Sequence, residues 1–224
     1  IASTFLMFIN YCLASIRLSA LSKHRVIYVF THDSVALGED GPTHQPIESL
    51  LILRGIPDLL TFRPADGNEV SAAYEISLNH NGPSCICLAR QGTNQLDNLD
   101  KYESIKKGAY NLYQDGDDED LKLIVLSTGS ETCTVMECIK KYDLKNIRIV
   151  SMPCLELYEL QNDIYKKNLL PKNICKISFE AGSTLSWYKY ADHCFGIDEF
   201  GKSGDGDKVL DYFGLSVDKI YNKI

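Results

Sequence analysis

The feature that most constrains this fold is a set of short β-favouring runs separated by helical patterns. Residues 26–30 consist only of Val, Ile, Tyr and Phe, so the strand that they predict must be covered on both faces. Further strands are predicted at residues 59–62, 84–88, 109–113, 121–126, 147–151 and 175–179. Helices are predicted at residues 5–21, 46–54, 68–78, 131–142, 155–160 and 208–213. This alternation predicts an α/β fold with parallel strands and right-handed crossovers.

Length and composition indicate a globular protein of one large or two small domains. The chain has 224 residues, of which 45% are hydrophobic and 24% are charged, and this balance excludes a disordered chain. The sequence turns polar over residues 91–107, so we place a domain boundary there. The predicted domains are residues 1–100 and residues 101–224. The net charge of −7 argues against a nucleic-acid partner.

The cysteines and residues 1–16 indicate in which cellular compartment the protein is expected. The eight cysteines form no CxxC pair, and several lie within apolar runs, which is typical of free thiols in a reducing compartment. We therefore expect a cytoplasmic protein. Residues 1–16 carry no charge, but they are fewer than the roughly 20 residues that a membrane helix needs. We expect no membrane partner and interpret this segment as a buried helix of a longer protein.

The segment with most chemical capacity is the predicted loop at residues 31–46. It contains two histidines, three carboxylates and two glycines, and it follows the strand at residues 26–30. Ligands bind at this carboxyl edge of open α/β sheets. A Gly–Pro pair keeps the loop from becoming helical, so Asp40 and His44 can converge on one small molecule. His44 also precedes a predicted helix amino terminus, which favours a neutral imidazole. The alternative is that these residues only cap helices.

The same loop resembles the pyrimidine-domain signature of transketolases. The similarity lies in residues 31–34 and 38–46, and it continues through residues 62–69, 89–91 and 195–201. Other thiamine-diphosphate enzymes share a shorter Gly-Pro-Thr-His core without the whole loop. The resemblance implies the latter half of a parallel-sheet pyrimidine-binding domain, followed by a transketolase-like carboxyl-terminal α/β domain.

The resemblance also implies a function. Transketolases belong to the pentose phosphate pathway and move a two-carbon ketol unit from a ketose phosphate to an aldose phosphate. They do so through a carbanion on thiamine diphosphate, with a divalent metal, Mg²⁺ or Ca²⁺. The implied partners are sugar phosphates and a second copy of the chain, with the cofactor between the subunits of a homodimer.

Four residues match substrate contacts of the family. Asp40 matches a residue that hydrogen-bonds a donor hydroxyl, and His44 matches the catalytic residue that contacts the two-carbon unit. His32 and Arg90 match the pair that holds the terminal phosphate. A guanidinium at the end of the strand at residues 84–88 suits this role, because it binds phosphate through two parallel hydrogen bonds. Without the resemblance, an ion pair at a domain interface is the alternative for Arg90.

Three aromatic residues match the family's cofactor pocket. Phe5, Phe8 and Tyr11 correspond to rings that stack on the aminopyrimidine of the cofactor. Their spacing of three places them along one broad helix face. Without the resemblance, core packing is the better interpretation of such an aromatic stripe.

Two parts of the family's machinery have no counterpart in this sequence. The family's glutamate that protonates the cofactor ring is expected upstream, since no acidic residue precedes Asp33. The metal is expected in a missing amino-terminal domain, and residues 204–206 are interpreted as a glycine-rich turn rather than a metal motif. We therefore expect no metal ligand in this chain and no activity from the chain alone.

Other interpretations concern the second domain and the rival functions. Residues 115–120 are interpreted as an acidic hairpin tip, and residues 128–132 as a strand-to-helix turn with an N-cap rather than a phosphate loop. The second domain shows no catalytic constellation. The alternative functions are another thiamine-dependent ketol transferase, such as dihydroxyacetone synthase, and a non-catalytic dimerisation or binding module that keeps the fold.

Overall fold

The computed structural model describes all residues from 1 to 224 and contains two β-sheets. The first sheet has four parallel strands in the order β1–β2–β4–β3. These strands are β1 (Ala2–Phe5), β2 (Ile27–Thr31), β3 (Leu60–Phe62) and β4 (Ser84–Cys87). The helices of this half are a 3₁₀ helix (Leu6–Tyr11), α1 (Leu13–Leu21), a 3₁₀ helix (Val35–Leu37), α2 (Ser49–Arg54) and α3 (Gly67–Asn79).

The second sheet has five strands in the order β5–β7–β6–β8–β9. They are β5 (Tyr110–Gln114), β6 (Leu123–Ser127), β7 (Ile147–Ser151), β8 (Cys175–Phe179) and β9 (His193–Phe195). The helices are 3₁₀ helices at Leu99–Lys101 and Thr184–Ser186, α4 (Tyr102–Ile105), α5 (Gly129–Tyr142), α6 (Leu155–Glu159), α7 (Asp163–Leu169), α8 (Gly206–Tyr212) and α9 (Val217–Tyr221). The predicted α/β class is confirmed, with one antiparallel pair, β5 and β7, in the second sheet.

The amino-terminal helix prediction is wrong over its first part. Phe5 ends strand β1, which pairs with β2 in register from Ala2 opposite Tyr28 to Phe5 opposite Thr31. A 3₁₀ helix then precedes α1. Parallel pairing with β2 overrides the local helical pattern here, as tertiary context often does.

Two further predictions are corrected by the structure. Helix α2 begins at Ser49 rather than Pro46, so His44 does not adjoin a helix amino terminus. The acidic residues 115–120 do not form a hairpin tip, because β7 lies between β5 and β6 in the sheet. Asp118 instead pairs with Arg148 of β7 at 2.6 Å.

The two halves of the chain share buried apolar packing. The largest buried cluster joins Val35 and Ile47 of the first half to Val125 and Phe179 of the second. None of the helices is both long and apolar enough to span a membrane.

Candidate active site

The predicted site residues gather at the carboxyl edge of the first sheet. Strands β2 and β4 are parallel neighbours, with Phe30 opposite Cys87, so the segments that follow them leave the sheet side by side. His32 follows β2, and Arg90 follows β4. Phe5 ends the neighbouring strand β1 at the same edge. Sheet register therefore explains why residues far apart in sequence come together here.

His32 is the centre of this cluster. Its backbone has a φ of 58°, a left-handed conformation that is uncommon outside glycine. Its ring stacks on that of Phe5 with centroids 3.8 Å apart. Burial lowers the pKa of His32, and the nearby Arg90 cation lowers it further, while Asp40 opposes this shift. The imidazole is therefore neutral at pH 7, and both charged side chains lie near it.

The three aromatic residues share a face through 3₁₀ geometry rather than through an α-helix. A 3₁₀ helix has three residues per turn and rises about 2 Å per residue, so side chains three apart are stacked about 6 Å apart. Phe5 and Phe8 have centroids 5.9 Å apart with nearly parallel rings, and Phe8 and Tyr11 are also 5.9 Å apart. Tyr11 is 88% exposed, which does not fit the core-packing alternative.

His44 joins the aromatic face to the loop. Its ring meets the Phe8 ring edge-on at 5.4 Å, and its Nδ1 lies 2.9 Å from Thr43 Oγ1. Asp40 is exposed and its carboxylate makes no hydrogen bond within the chain. The loop thus presents a carboxylate that can accept hydrogen bonds from hydroxyl groups of a ligand.

Arg90 is an exposed cation without a partner. It forms none of the ion pairs within this chain and is solvent-exposed. The alternative of an ion pair at an interface between the two domains therefore has no support within this chain. Its guanidinium is free to bind an anion beside the neutral His32 ring.

A buried ionic network below the loop was missed by sequence reasoning. Arg63 is 0% exposed, and its Nε donates to Asp33 Oδ2 at 2.9 Å. Its Nη1 donates to Glu131 at the start of α5. Since Asp33 directly follows His32, this network fixes the backbone beneath the predicted phosphate-binding residues. Arg63 directly follows a buried strand, and that position was the available signal.

A second buried ion pair lies against the first. Arg54 donates through both terminal nitrogens to Glu180, at 2.8 and 2.7 Å, and Thr128 Oγ1 donates to the same carboxylate at 2.6 Å. Burial alone would raise the pKa of Glu180, but the Arg54 guanidinium holds it at about 2. Both halves of the chain thus contribute charges to one buried junction.

The turn at residues 128–132 packs directly against these two buried ion pairs. Gly129 has a φ of +56°, and a Cβ there would lie 2.7 Å from the Arg63 guanidinium carbon. The prediction of a strand-to-helix turn is confirmed, because β6 ends at Ser127 and α5 begins at Gly129. Thr128 stands at the N-cap position but makes no capping hydrogen bond, so that detail is wrong.

The arrangement of side chains indicates which kinds of ligand the chain can bind. No group of three or more His, Cys, Asp or Glu side chains is arranged to bind a metal ion. The Phe5–Phe8–Tyr11 face presents flat rings next to two histidines, and such a surface suits stacking against a planar heterocycle.

Comparison with known proteins identifies both halves. The family models described as transketolase, pyrimidine binding domain, and transketolase-like TK C-terminal domain match residues 1–95 and 108–216. The chain is 44% identical to Transketolase 2 of Saccharomyces cerevisiae, over 98% of this chain and 32% of that protein. The chain spans about a third of the length of the curated relatives that it matches first.

Solved structures give the same result. The transketolase from Leishmania mexicana superposes with a TM-score of 0.93 at 38% identity, covering 99% of this chain and 33% of that one. A transketolase from Pichia stipitis in complex with sedoheptulose-7-phosphate gives a TM-score of 0.92 at 37% identity, covering 99% and 32%.

Proposed function

Because the chain belongs to the transketolase family, we propose that it supplies the substrate-binding part of an enzyme that transfers a two-carbon ketol unit between sugar phosphates. The observation that carries this proposal is the cluster at the carboxyl edge of the first sheet. A free cation, a free carboxylate and two histidines stand there beside an aromatic face. A sugar phosphate offers the complementary groups, namely a dianion at one end and hydroxyl groups along its chain.

Each residue of the cluster has a distinct part. Arg90 and His32 bind the terminal phosphate, because a guanidinium forms two parallel hydrogen bonds to phosphate and a neutral imidazole donates one more. Asp40 accepts a hydrogen bond from a hydroxyl of the ketose donor. His44, the catalytic residue of this set, contacts the two-carbon unit and moves a proton at its oxygen. The complex of the Pichia stipitis relative with sedoheptulose-7-phosphate supports this substrate class.

The aromatic face fits thiamine diphosphate. Phe5, Phe8 and Tyr11 hold its aminopyrimidine ring by stacking, and their half-buried to exposed rings leave room for it. When bound, this cofactor supplies the nucleophilic carbon and the electron sink for ketol transfer. A divalent metal, Mg²⁺ or Ca²⁺, is held by residues outside this chain. The chain's own residues bind and orient the reacting sugar.

We also propose an oligomeric state, a domain boundary and a cellular location for the enzyme. The proposed oligomer is a homodimer with the cofactor between the subunits, which the exposure of Tyr11 at the end of the aromatic face supports. The functional division of the chain falls near residue 100. A cytoplasmic location is supported by eight free cysteines without a disulfide.

The isolated chain is inactive in this proposal. It spans about a third of its relatives and has no acidic residue before Asp33, so it lacks the glutamate that activates the cofactor. We expect ketol transfer only from the native protein that contains this chain.

The test compares two proteins under one assay. The native protein and the isolated 224-residue chain are each assayed for transfer from a ketose phosphate to phosphorylated and unphosphorylated aldoses, with and without thiamine diphosphate and Mg²⁺. The proposal predicts transfer by the native protein only, dependent on the cofactor and faster with a phosphorylated acceptor. Absence of transfer by the native protein would contradict it, and a preference for unphosphorylated acceptors would indicate a dihydroxyacetone-synthase-like enzyme.

A further inference from the structure

The loop that carries Asp40 and His44 is held by a segment from the other half of the chain. Gln45 is 1% exposed, and its Nε2 lies within hydrogen-bond distance of three carbonyl oxygens. Two belong to the loop itself, Val35 at 3.1 Å and Gly38 at 2.9 Å. The third is the carbonyl of Lys202, at 2.9 Å and 157 residues away in sequence. One amide thus closes the loop on itself and ties it to residues 201–206.

Gly201 is the tightest point of this contact. A Cβ at Gly201 would lie 1.8 Å from Gln45 Oε1 and 2.9 Å from Gln45 Cδ. Such a distance is not reached by real side chains, so any larger residue must push the Gln45 amide out of its position. Gly201 therefore has to be glycine for the loop to keep its three-way hydrogen bond.

Two more residues of the segment touch the same loop. Ser203 Oγ donates to the carbonyl of Glu39 at 2.5 Å, directly before Asp40. A Cβ at Gly206 would lie 2.6 Å from the Ala36 carbonyl oxygen, so α8 begins in close contact with the 3₁₀ helix of the loop. Both contacts lie before Asp40 in the loop, and Gln45, which directly follows His44, holds the loop after it.

We propose that Gly201, Ser203 and Gly206 are positioning residues that hold Asp40 and His44 in place for the ketose donor. This inference rests on the proposed function. The second half of the chain then contributes to substrate binding by holding the loop of the first half. Displacement of the Gln45 amide would shift both loop residues by a fraction of an ångström or more, and misplacement of about 1 Å can reduce a rate constant by roughly 10²-fold.

The central test uses two glycine-to-alanine variants of the native protein. Gly201→Ala introduces the clash with Gln45, whereas Gly204→Ala adds a Cβ that meets only Val209 Cγ2 at 3.5 Å, an ordinary contact. We expect Gly201→Ala to raise KM for the ketose phosphate by moving Asp40 and to lower kcat by moving His44, so that kcat/KM falls by roughly 10²-fold. Gly204→Ala should match the unmodified enzyme. A purely structural role would instead lower the fraction of active enzyme and leave KM unchanged.

A second readout does not depend on activity. The backbone N–H groups of Gly41, His44 and Gln45 donate within the loop, so their hydrogen exchange reports whether the loop is held. Exchange should be faster in Gly201→Ala than in Gly204→Ala. If the native protein shows no ketol transfer, the proposed function fails, and this exchange measurement alone decides whether the segment holds the loop.

Two more variants test whether the Gln45 contact is responsible for the effect of Gly201→Ala. In a Gln45→Ala background, Gly201→Ala should cause little further change, because the group with which it collides is absent. If Gly201→Ala does not fold, Ser203→Ala decides, since it removes only the hydrogen bond to Glu39 and should still raise KM and speed loop exchange. Unchanged KM and unchanged exchange in Ser203→Ala, or equal behaviour of Gly201→Ala and Gly204→Ala, would overturn the proposal.

Discussion

At the scale of single residues, Arg63 shows how much the site depends on a group that no ligand touches. Its guanidinium is buried between Asp33 and Glu131, and Asp33 is the residue after His32. Burying such charges costs several kcal/mol per ion, and their mutual attraction offsets this cost only while all partners are present. Removal of the cation therefore leaves two carboxylates buried without a counter-charge.

This gives a prediction for Arg63→Ala. The variant should lose about 3–5 kcal/mol in the free energy of unfolding, because breaking a buried pair leaves an uncompensated charge. Denaturant unfolding of the native protein measures it. Arg17→Ala is the control, since Arg17 is exposed on α1, and its change should stay within about 0.5 kcal/mol. Equal stability of the two variants would contradict the account of the buried junction.

At the scale of elements, the two halves are also joined by a carboxyl group on α3. Glu69 is 1% exposed, and it accepts hydrogen bonds from Tyr110 of β5 at 2.9 Å and from Ser151 of β7 at 2.6 Å. The Ala65 N–H donates to its other oxygen at 2.7 Å. Burial raises the pKa of Glu69 from 4.5 to about 7, against the effect of these hydrogen bonds.

The raised pKa of Glu69 predicts a pH dependence of stability. Between about pH 4.5 and 7 the folded chain keeps a proton on Glu69 that the unfolded chain has released. The contribution of this group to the unfolding free energy is therefore complete below about pH 4.5 and is lost as the pH rises through about 7. Glu69→Gln should flatten the stability curve in this window, and Glu137→Gln, an exposed glutamate on α5, should not. An unchanged slope in Glu69→Gln would contradict the assignment.

Sequence reasoning succeeded for elements whose own pattern decides their structure. The run at residues 26–30 consists only of β-favouring residues and the run at 147–151 is rich in Ile and Val, and they appear as β2 and β7. The prediction failed where pairing with a segment distant in sequence determines the secondary structure. Strand β1 exists because β2 pairs with it, and β9 is only three residues long beside β8.

The same distinction holds within the site. The resemblance named Asp40, His44 and Arg90, and the structure brings them to one edge with His32, although their roles stay predictions. The contact of Gln45 with Lys202 spans 157 residues, and no local pattern in either segment indicates it. The buried Arg63 network likewise joins segments 30 and 68 residues apart.

At the scale of the whole molecule, the chain consists of two α/β halves that pack together next to the predicted substrate site. The first half carries the residues that we predict to bind the substrate, and the second supplies buried charges and a glycine segment that contact them or their loop. Arg90 is exposed and forms no ion pair within the chain, so its contribution can be measured without disturbing other contacts of the chain.

The most direct test of the account is the Michaelis constant of Arg90→Ala in the native protein. A charge-assisted hydrogen bond contributes about 1.5–3 kcal/mol, so KM for phosphorylated sugars should rise about 10- to 100-fold, while KM for unphosphorylated acceptors should not change. Arg25→Ala is the control, because Arg25 is an exposed arginine before β2, at the opposite edge of the sheet. Equal KM values for phosphorylated substrates in Arg90→Ala and Arg25→Ala would contradict the assignment of this edge as the phosphate-binding site.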